Sequence, residues 1–147
     1  GEGDAVYRNE GIIVIKMDSS DQLLWCNYIP KLQRSKMPTF FGHTVMMFNN
    51  KLLLFYNDDN SNSNYDIERA VKAPKKMEGY TGFSLMMVEF SEAGKMKRTL
   101  QGNATKLGAN IKMSSEQTSP NRMLIYAATP NLMGGIKKLK YGFVNFK

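Results

Sequence analysis

The pattern of apolar and polar positions is easiest to read from Gly11 to Pro30, GIIVIKMDSSDQLLWCNYIP. Ile12 to Ile15 is a β-branched apolar run of the kind that suits a buried strand, and Lys16-Met17-Asp18 begins to alternate. Asp18-Ser19-Ser20-Asp21 is a turn cluster, because these short side chains hydrogen-bond to nearby backbone and compete with regular structure. Leu23 to Trp25 resumes the apolar character, and Pro30 is expected to stop the run. A helix would place its apolar positions three and four apart, so the stretch predicts a β-hairpin.

The same grammar recurs along the chain. Residues 1–10 are polar and predict an extended lead-in. Lys31 to Lys36, KLQRSK, is expected to be a basic connector, with a loop opening at Met37-Pro38. Thr44 to Tyr56 predicts a second hairpin around Asn49-Asn50, since Asn tolerates the left-handed backbone that two-residue turns demand. Asn57 to Asn64, NDDNSNSN, predicts a polar loop, and Ile67 to Met77 fits either one helical turn before Pro74 or an irregular segment. Phe83 to Phe90, a turn at Ser91–Gly94 and Lys95 to Gln101 predict a third hairpin. Gly102 to Lys112 is expected to be a connection with room for a short strand, and Ser114 to Asn121 a polar loop. Strands are expected at Arg122–Ala127 and Tyr141–Phe146, separated by a turn-rich segment at Thr129–Gly135 and a short basic piece at Ile136–Leu139.

Two of these hairpins align with later ones. VIKMDSSDQLLW at Val14–Trp25 matches MVEFSEAGKMKR at Met87–Arg98, which sets Ile15 opposite Val88. NNKLLLFY at Asn49–Tyr56 matches PNRMLIYA at Pro120–Ala127, which sets Asn50 opposite Asn121. The offsets nearly agree and imply a period of about 70 residues, with approximate repeats at 10–80 and 81–147. Each repeat would hold two hairpins, the four antiparallel strands of a propeller blade. The predicted fold is therefore all-β and propeller-like, with these residues a single all-β domain or part of a larger propeller. A β-sandwich or barrel with an internal duplication is the alternative.

Composition narrows the function classes. The 147 residues suffice for one domain with its own core. Lys and Arg number 20 against 13 Asp and Glu, an excess of +7 that does not by itself identify nucleic acid as a partner. The basic groups Lys31/Arg34/Lys36, Lys72/Lys75/Lys76 and Lys137/Lys138/Lys140 fall in expected connections, where lysine ordinarily serves solubility, so no nucleic-acid partner is expected. No apolar run is long enough for a membrane span, and no signal-peptide pattern is visible. The single cysteine, Cys26, excludes an internal disulfide framework. The single histidine, His43, excludes a multi-histidine metal site and argues against a Ser-His-Asp triad. The methionines in expected strands, Met17, Met46, Met47, Met86, Met87 and Met123, read as core filler.

One loop carries candidate chemistry. Asp58 to Asp66 places side-chain oxygens at every second position, and calcium takes six to eight oxygens. The EF-hand pattern fails, because Ser63 stands where Gly is needed and Arg69 where Glu is needed. Asp58, Asn60, Asn62 and Asp66 are the candidate calcium ligands, beside the alternative of a solvated Asn/Ser loop. No motif for nucleophilic catalysis, phosphate binding or dinucleotide binding occurs.

MDSSDQLLW followed by IPKLQ, then NNKLLLFYND and the final KKLKYGFVNFK, resembles uncharacterised exported β-propeller-like repeat proteins of Gram-negative bacteria, with Asp21 where Gly is usual. The resemblance implies the C-terminal portion of an extracytoplasmic protein, in the periplasm or on the cell surface, and it assigns no catalytic residues. The expectation is a non-catalytic binding or scaffold module acting through loop and surface contacts on a protein or glycan partner. Two alternatives remain: a propeller enzyme whose central-channel site is completed by further blades, and a small barrel binding an apolar ligand.

Overall fold

The computed structural model describes residues 6–35, 40–69, 72–78, 82–103, 110–130 and 136–147. The elements expected at Met37-Pro38 and across most of 102–112 and 129–135 lie wholly or partly outside these residues. The fold is all-β. Its strands are β1 (Tyr7–Met17), β2 (Leu23–Ser35), β3 (Thr44–Phe48), β4 (Lys51–Asp59), β5 (Met77–Glu78), β6 (Phe83–Phe90), β7 (Met96–Asn103), β8 (Asn110–Ser119), β9 (Arg122–Pro130) and β10 (Ile136–Asn145), with a 3-10 turn at Asn60–Asn62. They form three sheets in the orders β1-β2-β5, β3-β4-β6-β7 and β10-β9-β8. Every pairing is antiparallel except β2 with the short β5. Among the described residues no sheet closes on itself into a barrel, and no complete propeller forms.

The turns follow the sequence chemistry. Asn49 and Asn50 both take positive φ and join β3 to β4 through a two-residue turn. Asp21 takes φ +59, and Asp18 Oδ1 accepts from the Ser20 and Gln22 N–H groups at 2.8 and 3.0 Å, which closes the first hairpin. Gly94, at φ +80, closes the β6–β7 turn against the Trp25 ring, where a Cβ would come within 2.8 Å of the indole.

Several expected boundaries move. β1 begins at Tyr7, inside the expected lead-in, because Tyr7, Arg8 and Asn9 pair with Ser35, Arg34 and Gln33. Pro30 does not stop β2. The register shifts between Asn9 and Gly11, where Lys31 and Leu32 stand against Glu10 alone, so the irregularity directly follows the Gly11–Pro30 pair, next to a residue with no N–H to give. KLQRSK is therefore strand up to Ser35, with Lys31 and Gln33 in the interior. Asn57 to Asp59 extends β4, since β6 offers Leu85, Ser84 and Phe83 as ladder partners. Most of the polar stretch Ser114–Asn121 is the end of β8, and the basic Ile136–Leu139 opens β10. The Ile67–Met77 segment forms a turn at Ile67–Arg69, with Asp66 Oδ1 accepting from the Glu68 and Arg69 N–H groups, before β5.

Strand alternation gives each sheet two faces, and the sheets stack through them. One face of the central sheet sets Leu54, Tyr56, Met86, Val88 and Phe90 against Ile12, Ile29, Val14 and Trp25 of the first sheet. The other face sets Met46, Leu53, Phe55, Leu85 and Met87 against Met123, Ile125 and Phe146 of the β8–β10 sheet and its end. A third cluster joins Phe40, Met77, Phe83 and Ala128.

Candidate functional site

The least expected feature of the interior is its polarity. Lys31, Gln33, Asn57, Asp58, Asn62 and Ser84 are all buried. Alternation along β2 turns Lys31 and Gln33 inward, and the extension of β4 carries Asn57 and Asp58 to the same depth. Buried polar groups must find partners, and here they find one another. Lys31 Nζ donates to the Gly42 carbonyl at 2.9 Å and to Gln33 Oε1 at 3.1 Å, and it lies 5.8 Å from the Tyr56 ring centre. Gln33 Nε2 donates to the Asn57 carbonyl at 2.8 Å, and Asn57 Nδ2 donates to the Phe40 carbonyl at 3.1 Å.

Arg98 of β7 is a second hub, 5.8 Å from the Tyr56 ring centre. Its Nη2 donates to Asp58 Oδ2 at 2.8 Å, its Nε to the Tyr56 hydroxyl at 2.8 Å and its Nη1 to the Asn62 carbonyl at 2.7 Å. Both side chains of the Asp58–Arg98 pair are almost wholly buried. Asp58 Oδ1 accepts from Asn62 Nδ2 at 2.7 Å and from the Asp59 N–H at 2.8 Å. Asn62 in turn bonds both the N–H and the carbonyl of Lys75. A planar, permanently charged guanidinium with five donors is suited to gathering so many acceptors.

Burial shapes the protonation of this cluster. It pushes the Lys31 ammonium down to about 8, only partly opposed by the charge of Asp58. It pushes the Tyr56 phenol up to about 12, against the pull of Arg98. It pushes the Asp58 carboxyl up as well, while the Asn62 amide, Arg98 and the Asp59 N–H favour the carboxylate. His43 is held below its usual range by partial burial and then by the Lys31 charge.

The four candidate calcium ligands are distributed among protein partners. Asp58 and Asn62 meet, with the Arg98 guanidinium where a cation would sit against Asp58. Asn60 Oδ1 accepts from the Ser84 hydroxyl at 2.7 Å. Asp66 is exposed, caps the Ile67–Arg69 turn and pairs with Arg69. Among the described residues no three His, Cys, Asp or Glu side chains gather as a metal-ligating group. The solvated loop expected here is instead a folded turn clamped from below. Lys31, Gln33 and Arg98 were not legible as members of this cluster, since each lies in a stretch whose polarity reads as surface.

A second feature is a cleft of about 320 Å³ between the first and central sheets. Val14, Trp25, Leu52 and Phe90 line it, with Lys16 and Glu92 among its polar residues. Trp25 stacks on Phe90 with ring centres 5.7 Å apart, and its indole N–H donates to the Glu92 carbonyl at 3.0 Å. Asn27 Nδ2 donates to the Gly94 carbonyl at 2.8 Å, so the β6–β7 turn is tied to β2 beside the cleft. Cys26 and His43 are exposed. Met46, Met86 and Met123 are core, as expected, whereas Met17 and Met47 face outward. Lys31 is removed from its expected basic surface, while Lys137, Lys138 and Lys140 are exposed along β10.

No protein-family model, no curated protein and no solved structure matches the chain. The fold and interior define an all-β protein of stacked, mainly antiparallel sheets. Among its described residues no helix is long and apolar enough to cross a membrane.

Proposed function

We propose that this chain is a non-catalytic binding and scaffold module of an extracytoplasmic bacterial protein, built as part of a propeller-like array. The observation that carries the reading is the stack itself. A four-stranded antiparallel sheet lies between two others, and each contact joins opposite faces of successive sheets. The buried polar cluster supports a scaffold role, because its donors and acceptors are engaged in holding loops to strands. The cleft beside Trp25 supports a binding role: it is concave, largely apolar and edged by one cation and one carboxylate. Its chemistry fits an apolar side chain of a protein partner with a polar group beside it.

The test is a peptide and glycan binding screen with the chain, repeated with Leu52→Trp, which fills the cleft. A peptide ligand lost in the variant supports the proposal. Ligands that bind the variant equally well place recognition elsewhere, and turnover of a bound ligand would replace the module with an enzyme.

A further inference from the structure

The outer face of the β1–β2 hairpin is apolar and open. Ile13, Ile15 and Met17 alternate outward along β1, and Leu24, Cys26 and Tyr28 lie on the same side of β2. Ile13 is 66% and Ile15 56% exposed, values found for charged surface positions rather than for β-branched residues in the middle of a strand. The register places Ile13 beside Tyr28 and Ile15 beside Cys26, so the patch is continuous across both strands. A contiguous apolar patch of this kind marks an interaction surface. It is also firmly built: the Tyr28 ring lies over Gly11, where a Cβ would clash at 2.3 Å, and the Tyr28 hydroxyl donates to the Glu10 carbonyl at 2.7 Å.

The stack identifies what covers it. Setting Ile15 opposite Val88 puts Ile13, Ile15 and Met17 at the places of Met86, Val88 and Phe90. Those three residues form the buried face that the central sheet turns toward the sheet before it. The same alignment puts Ile12 and Val14 at the places of Leu85 and Met87, the face turned toward the sheet that follows. Both faces of β1 thus correspond to faces of β6, and among the described residues only one of them is covered. The β6–β7 turn is also tied to the preceding sheet, through Glu92 and Gly94 carbonyls that accept from Trp25 and Asn27. Ser19 and Asp21 of the first turn stand at the same two places, and Asp21 shares the positive φ of Gly94.

We infer that the Ile13/Ile15/Met17 face is the docking surface for one further antiparallel sheet of the same repeat, supplied by the same protein outside these 147 residues. This rests on the stacked-array reading proposed above. The occupant presents an apolar face like that of Ile12, Val14 and Ile29, and its strand equivalent to β2 offers hydrogen-bond donors to the Asp18–Gln22 turn.

Cys26 lies within the patch, and as the sole cysteine here it reports on docking. The experiment compares its reaction with a thiol reagent in this chain and in the natural gene product, any other thiols being replaced by serine. The expected result is open reaction in the isolated chain and protection by about 100-fold or more in the gene product, as for a site exposed only by local opening. Ile15→Glu should leave the melting temperature of the isolated chain almost unchanged and lower that of the gene product by several degrees. Equal Cys26 reactivity in both proteins overturns the inference, as does a gene product with no further sheet. Protection in the isolated chain that disappears on dilution also overturns it, and assigns the face to a second copy. Ile15 and Met17 also border the Trp25 cleft, whereas Cys26 does not, so the Cys26 readout separates failed docking from a failed binding screen.

Discussion

Two regions of the first sheet have the surroundings expected of each other. The Lys31–Gln33 segment of β2 carries an ammonium and an amide and is buried. Ile13, Ile15 and Met17 of β1 are three large apolar side chains and are exposed. The difference teaches that burial is decided by what lies opposite. Lys31 is tolerated inside because the Gly42 carbonyl and Gln33 Oε1 receive its protons and the Tyr56 ring lies near it. Ile15 remains outside because none of the sheets described here covers it.

The sharpest way to break this contrast is to remove a partner from the interior. Arg98→Ala leaves Asp58 buried beside acceptors that have lost their donor, and should destabilise the chain by about 3–5 kcal/mol in urea unfolding. The double variant Asp58→Leu/Arg98→Met should recover part of that loss, since it leaves no unpaired carboxylate, while the buried Lys31 loses the opposing charge of Asp58. Recovery of none of it would show that the contacts of Arg98 to the 62–65 backbone, and not the ion pair, hold the turn.

Lys31 sharpens the comparison through pH. Its folded pKa of about 8 lies below the ordinary 10.5, so between those values the unfolded chain binds more protons than the folded one. Stability should therefore rise as pH increases through this window, and below it the full penalty of burying the charge applies. The contribution is at most about 3 kcal/mol from the size of the shift. Urea midpoints from pH 7.5 to 10.5, compared with Lys31→Met, isolate it, and identical profiles for the two proteins would remove Lys31 as the cause.

Gly94→Ala probes the contact between the two sheets. Positive φ and the approach to Trp25 together should cost about 1–3 kcal/mol and alter the Trp25 fluorescence. A neutral result would mean that the indole moves freely at this contact.

At the other end of the scale, Ile15→Thr in the isolated chain should change stability by no more than about 0.5 kcal/mol, as for ordinary surface substitutions. A larger loss in urea unfolding would mean that the outer face already has a partner in solution. Calcium bears on the same contrast. A calcium-dependent rise in melting temperature that Asp58→Asn abolishes would show the ion displacing Arg98 and would support the four-ligand site.

Much of the local structure was legible in the residues. Asn49-Asn50 demanded a two-residue turn and formed one, and Asp18 through Asp21 closed the first hairpin by its own side-chain hydrogen bonds. The apolar runs at Ile12–Ile15, Leu52–Tyr56 and Phe83–Phe90 became strands because β-branched and aromatic side chains fit a packed pleated surface. The candidate site was much less legible. KLQRSK and NDDNSNSN read as surface because polar residues ordinarily remain hydrated, and sequence does not show which distant acceptors will replace water.

The chain's own sequence thus determined the strands with apolar runs, most of their turns and the all-β class, since alternation, turn chemistry and β-branching act over a few neighbouring residues. Only the tertiary structure decided that Arg98 would meet Asp58, that Lys31 would lie near the Tyr56 ring and that the outer face of β1 would be left open. Those outcomes depend on which sheets stack on which. Stacking brings together residues far apart along the chain, and its energetics rest on desolvation and pairing at the contact.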